Sequence, residues 1–169
     1  MDGKQIPMDL GVEIDAKTQA WLDWIAPERQ EAQVQRFLEY AGLDAIPSEP
    51  WPEGAPELAK LSVVVTELFP TMETAMAPEN SDTADMFLCF LGECFIKFTG
   101  AKWINAPWFG REYSFYDNIN PSLEYGVSDT EGNTAYGLMI DIIEYGFSDT
   151  AEMLREYSDR YAKQQNTNQ

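Results

Sequence analysis

The run MFLCFLGECFIKF, Met86–Phe98, is apolar on nearly every face when wound as a helix. Such a helix has no side that prefers water, so it belongs at the centre with the rest of the chain packed around it. Ser81 or Asp82 offers an N-cap, and Thr99-Gly100 offers a stop. Glu93 and Lys97 are the charged residues inside the run. They stand four apart in the Glu-before-Lys order that favours an ion pair across one helical turn. The alternative is a buried acid with a raised pKa. Gly92 beside Glu93 marks close packing or a kink.

Other elements arrange themselves around that helix. Asp15 can cap a helix running to about Ile25, with Trp21, Leu22 and Ile25 on one face. Pro27 suits the first turn of a second helix, which carries Val34, Phe37, Leu38 and Ala41 and stops at Gly42. The segment IPSEPWPEGAP, Ile46–Pro56, has four prolines in eleven residues and cannot be helical. It reads as an extended loop pinned by Trp51. Leu58–Phe69 forms a third helix that Pro70 ends. After Gly100 the period shortens. Trp103 in AKWIN and Tyr113, Phe115 and Tyr116 in EYSFYDN suggest two strands joined by a turn at Pro107–Gly110. A third strand is expected over Ser122–Val127, then helices over Thr134–Tyr145 and Ser148–Ala162. EYG-x-SDT occurs twice, from Glu124 and from Glu144, but the flanks do not match. Shared cap chemistry explains the pair better than duplication.

At 169 residues and 44% hydrophobic, the chain is one domain's worth with enough apolar material for a core. The expectation is therefore a mostly helical, single α+β domain with a small antiparallel sheet of two to four strands. It would occupy residues 15–162, between an irregular arm over 1–14 and a flexible tail over 163–169.

Charge excludes several functions. Asp and Glu total 29 against 11 Lys and Arg, a formal net charge of −18, and there is no histidine. A Ser-His-Asp triad, a Cys-His dyad and a His-ligated metal cannot be assembled from this chain alone. Phosphate backbones need clustered Lys and Arg, so direct nucleic-acid binding is not expected. No stretch reaches the ~18 apolar residues of a membrane span. The N-terminal MDGKQIPMDLGVEID lacks the basic and apolar regions of a signal peptide, and Cys89 and Cys94 read as small buried hydrophobes. A cytoplasmic location is the resulting expectation. Asp129–Asn133 resembles half a calcium loop, but Thr134 and Ile140 stand where Gly and Glu are required. The glycines are too isolated for a phosphate loop. No catalytic residue, metal or cofactor is assigned.

The acidity is uneven. Phe37–Ile96 holds eleven acids and one base, Lys60, while Glu112–Leu154 holds nine acids and no base. Solubility alone explains such a surface; so does a basic partner, steered by a field of one sign. Trp108 and Phe109, bracketed by Pro107 and Gly110, are candidate aromatic anchors at a turn tip. Glu112, Asp117, Glu124, Asp129 and Glu131 would form the acidic rim around them. A tip folded back onto Trp51 is the equal alternative.

Leu91-Gly92-Glu93 followed by an apolar stretch, then Gly100 and Trp103, resembles a pattern in small acidic bacterial α+β proteins, some of them immunity proteins of polymorphic-toxin systems. The resemblance covers about a fifth of the chain and carries no catalytic residues over. It implies a non-catalytic cytoplasmic protein that neutralises a basic protein partner such as a toxin. The alternatives are a nucleic-acid mimic that inhibits a DNA- or RNA-binding protein, and a carboxylate-dependent hydrolase.

Overall fold

A computed structural model describes residues 16–107 and 113–167. Among the described residues, seven helices and a three-stranded antiparallel sheet make the mostly helical α+β domain that the sequence implies. Residues 16–25 form α1. Next come α2 (Pro27–Ala41), α3 (Pro56–Leu68), α4 (Met72–Met76) and a single 3₁₀ turn over Pro78–Asn80. The central helix α5 spans Ser81–Thr99, followed by β1 (Lys102–Asn105), β2 (Pro121–Glu124), β3 (Asn133–Thr134), α6 (Ala135–Tyr145) and α7 (Phe147–Thr167).

The apolar run behaves as its composition requires. Phe87, Leu88, Cys89, Phe90, Leu91, Cys94 and Phe95 on α5 are all fully buried. The helix packs between α2 and α7, with β1 on a further side. It ends at Gly100, whose φ of 72° suits a residue without a side chain. A Cβ at Gly100 would also stand 2.5 Å from the Tyr161 ring of α7. The proline-rich segment is pinned as its tryptophan suggests. Trp51 is buried, 5.9 Å from Phe98 and 6.3 Å from Phe90 between ring centroids.

The sheet differs from the sequence expectation in its second strand. β1 pairs with β2, placing Trp103 opposite Leu123 and Lys102 opposite Glu124; β2 then pairs with β3. The described residues of EYSFYDN lie in the connection between β1 and β2 and are not a strand. The cause is local. Ser114 Oγ donates to the Ile119 carbonyl at 2.7 Å and accepts from the Tyr116 amide at 3.1 Å. The side chain therefore offers the backbone a closed turn in place of a ladder. The expected tip, with Trp108 and Phe109, lies outside the described residues, as does the arm over 1–14.

One more expectation needs correction. Residues 163–167 belong to α7 instead of a loose tail. Gln164 holds them, accepting from the Ser128 amide at 2.9 Å and donating to the Gly126 carbonyl at 2.9 Å. The two EYG-x-SDT copies also differ in structure. The first leaves β2 for a turn with Asp129 at φ 58°, whereas the second runs from the end of α6 into α7. They are not one repeated unit.

Gly92 reveals how close α5 and β1 approach. A Cβ there would meet the Trp103 indole at 2.3 Å. Gly92→Ala must displace the ring, and urea denaturation is expected to show a loss of about 1–3 kcal/mol, the usual cost of overpacking. An unchanged midpoint would mean that the ring has room to move.

Both cysteines are buried and free. Burial, then the Asp85 carboxylate, pushes the Cys89 thiol up to about 12; burial first, then Glu93, raises Cys94 well above the usual thiol range. Thiolate is the reactive form. Labelling by a disulfide reagent at pH 8 should therefore proceed only at the rate of unfolding, and rapid native-state labelling would contradict the burial.

Candidate functional site

The most elaborate polar arrangement joins α2 to α5. Arg29, Gln33 and Arg36 stand on one face of α2, four and then three residues apart, and Asp82 and Asp85 stand three apart on α5. Both spacings put side chains on a shared helix face. Arg36 grips Asp82 with both guanidinium nitrogens, at 3.0 and 2.6 Å. Gln33 bridges the two carboxylates, donating to Asp82 at 3.2 Å and to Asp85 at 2.5 Å. Arg29 meets Asp85 at 2.6 Å.

Asp85 is 5% exposed and takes four hydrogen bonds. Its Oδ1 accepts from Trp24 Nε1 at 2.8 Å and from the Tyr116 hydroxyl at 2.5 Å. Its Oδ2 accepts from Gln33 and Arg29. A carboxylate has about four lone-pair positions, and all are occupied. Such a group has no free position from which to take a proton from a substrate. It joins α1, α2, α5 and the β1–β2 connection at one point. Burial, then Asp85, raises the Tyr116 phenol well above its ordinary range, so Tyr116 remains a donor. Arg29 also approaches Cys89 Sγ at 3.9 Å, but that thiol is protonated and is no nucleophile.

Asp82 is exposed, and its hydrogen bond from Arg36 holds its carboxyl below the usual carboxylate range. A depressed folded-state pKa contributes stability above the unfolded value, and that contribution is lost as pH falls through the folded value. Solvent screening keeps it small.

The expected rim residues that are described lie before β2, at its end and after it. Asp117 lies before β2 and lines a depression of about 380 Å³ with Arg29, Asp82, Asp85 and Tyr116. Glu124 lies at the other end of β2, 3.3 Å from Lys102, and Asp129 and Glu131 follow in the β2–β3 connection. All four are exposed. Trp108, Phe109 and Glu112 lie outside the described residues. Among the described residues no three His, Cys, Asp or Glu side chains converge to hold a metal ion, and no helix is long and apolar enough to cross a membrane.

Glu93 also departs from expectation. Lys97 donates to the Ile46 carbonyl at 2.9 Å instead of forming the expected ion pair. Burial raises the Glu93 carboxyl; the attraction of Lys97, the next influence, opposes it, and a smaller repulsion from Glu31 adds to it. Sequence reasoning passed over Trp24, Arg29, Gln33, Arg36 and Asp85, and read Asp82 only as a possible N-cap, whereas α5 begins at Ser81 with no side-chain cap. The available signal was the match between cation and amide spacing on α2 and carboxylate spacing at the start of α5.

Comparison with protein-family models, curated proteins and solved structures finds no match to this chain.

The two carboxylates give a graded test. Asp85→Ala leaves Arg29 and three further donors facing a void, and about 3 kcal/mol should be lost in urea denaturation, as for a broken buried pair. Asp82→Ala removes an exposed pair and should cost under about 1 kcal/mol. Equal losses would contradict the difference in burial.

Proposed function

We propose that the protein is a non-catalytic, cytoplasmic binder that neutralises a basic protein partner, as an immunity protein does. The supporting observation is how the chain disposes of its positive charge. Lys60 donates to the Gly42 carbonyl, Lys97 to Ile46, Arg155 to Trp51 and Arg160 to Ser128. Cations directed at the backbone leave acids uncompensated. Three ion pairs occur among the described residues, engaging Asp82, Asp85 and Glu124. A chain of net charge −18 then presents a surface field of one sign.

The field is most ordered on α7. Asp149, Glu152, Glu156 and Asp159 are exposed on one helical stripe, with Lys163 one turn beyond Asp159. Like charges at this spacing destabilise a helix by about 0.2–0.5 kcal/mol per pair. Retention of such a row at that cost fits a binding surface. Its regularity also favours a second reading, imitation of nucleic acid. The four carboxylates extend over about 15 Å of helix axis, approximating the regular negative charge of a nucleic-acid strand.

The test begins with a partner captured at low ionic strength and then purified. The expected partner is basic, loses its own activity in the complex, and associates more slowly as salt rises, because exposed charges are screened beyond ~8 Å at physiological ionic strength. Replacing Glu152, Glu156 and Asp159 by their amides should lower the association rate at least tenfold and raise the melting temperature of the free protein. A salt-independent rate, or a partner with undiminished activity, would refute the reading. Displacement of the partner's bound DNA or RNA would select mimicry.

A further inference from the structure

Apart from the acidic stripe of α7, and independent of the function proposed above, a cleft of about 530 Å³ lies between α2 and α5. That volume is within the ~300–1,000 Å³ range of small-molecule sites. Val34, Leu38, Ile46 and Trp103 line it and are all buried, so its inner surface is apolar. Glu31, Glu93 and Lys97 line it as well. Glu31 and Lys97 are exposed and Glu93 is half-buried, so the charges belong to its outer part.

A donor and a charge balance narrow what such a cleft can hold. Trp103 is 7% exposed, and its buried Nε1 has no acceptor among the described residues. A buried donor left unpaired is costly, and an oxygen brought to it recovers that cost. The indole edge that carries Nε1 stands over Gly92, where a Cβ would approach Nε1 to 2.5 Å, and Glu93 is the next residue along α5. The charges on the lining are two carboxylates and one ammonium. Burial raises the Glu93 carboxyl, and the attraction of Lys97, the next influence, opposes it. The Lys97 ammonium also donates to the Ile46 carbonyl at 2.9 Å. A cation in this cleft would compete with Lys97 for Glu93 and bring no acceptor to Trp103. An anion would bring an acceptor but meet two carboxylates, with the one ammonium already engaged. A neutral molecule with an oxygen acceptor satisfies the donor without disturbing the charges.

We propose that this cleft binds a neutral, largely apolar molecule with one carbonyl oxygen, a ketone, ester or amide. The oxygen accepts from Trp103 Nε1, and the apolar body lies against Val34, Leu38 and Ile46. Because Nε1 is buried, the oxygen reaches it by displacing the half-buried side chains of Glu93 or Ile96 from that wall. The buried apolar surface accounts for the body of the ligand, and the unpaired indole N–H accounts for its oxygen.

The test titrates the full chain with acetophenone and with ethylbenzene, which has nearly the same shape but no oxygen; benzoate and benzylammonium supply the two charges. Calorimetry gives the affinities, and the indole N–H resonance of Trp103 reports the hydrogen bond. Acetophenone is expected to bind saturably, at least tenfold more tightly than the other three, and to move that resonance further downfield than ethylbenzene does. Trp103→Phe, which keeps an apolar ring and removes the donor, should bind acetophenone at least tenfold more weakly. Should that variant fail to fold, Ile96→Trp fills the cleft from its half-buried edge, keeps the donor and should abolish binding. No saturable binding of acetophenone at millimolar concentration, ethylbenzene binding as tightly, or undiminished binding by Trp103→Phe or Ile96→Trp would each overturn the proposal. A preference for benzoate would overturn the neutral class and make Lys97 the partner of the ligand.

Discussion

One buried carboxylate determines how the N-terminal half of this domain closes. Asp85 takes hydrogen bonds from Trp24 on α1, Arg29 and Gln33 on α2 and Tyr116 in the connection between β1 and β2. None of these segments is adjacent to α5 in sequence. Apolar contact alone would let α1 and α2 slide along a helix that is greasy on almost every side. A carboxylate with four occupied positions fixes their register, because any shift leaves a buried donor without an acceptor. Trp24 is fixed in turn and supplies an edge to both the Trp103 and the Tyr116 rings, at 5.1 and 5.6 Å. The sheet and the helical layer thus share an aromatic joint built on a polar one. The same saturation that makes Asp85 a good clamp makes it a poor general base, which weighs against a hydrolase centred there.

Much of this fold was legible because apolar pattern and helix punctuation agree. The central helix, its stop at Gly100, the start at Pro27 and the pinned role of Trp51 all follow from short-range rules. The second strand was not legible. EYSFYDN has strand composition, but Ser114 diverts the backbone into a turn, and composition does not reveal which hydrogen bond wins. The end of α7 was obscured for a related reason. Its polar sequence has no apolar periodicity near Gln164, and the order there comes from hydrogen bonds to Ser128 and Gly126, residues distant in sequence.

The site was less legible than the fold. Net charge showed that acids would dominate the surface, but it could not show which cations would be committed elsewhere. The Glu93–Lys97 spacing satisfies the ion-pair rule, yet Lys97 caps a loop carbonyl instead. The rule concerns an isolated helix, where the rival acceptor is water. Here the Ile46 carbonyl is a fixed acceptor within reach of the exposed lysine, and the ammonium goes to it. The four rim acids placed among the described residues were likewise grouped by sequence proximity, whereas β2 separates Asp117 from Glu124, Asp129 and Glu131.

The acidic exterior is connected to this use of cations. Arg155 reaches a carbonyl 104 residues away, Lys97 one 51 away and Arg160 one 32 away, each in a segment outside regular helix or strand. Such segments have carbonyls with no ladder to accept them, and an irregular backbone near a core must find donors. Arg and Lys supply long, charged donors on flexible stems, so they suit this task better than Ser or Asn. A chain with few cations that uses several of them as loop staples has fewer left to compensate its carboxylates, and three ion pairs occur among the described residues. The staples therefore serve two ends at once: they fix the irregular segments onto the helical core, and they leave the exposed faces of the helices with acids in excess.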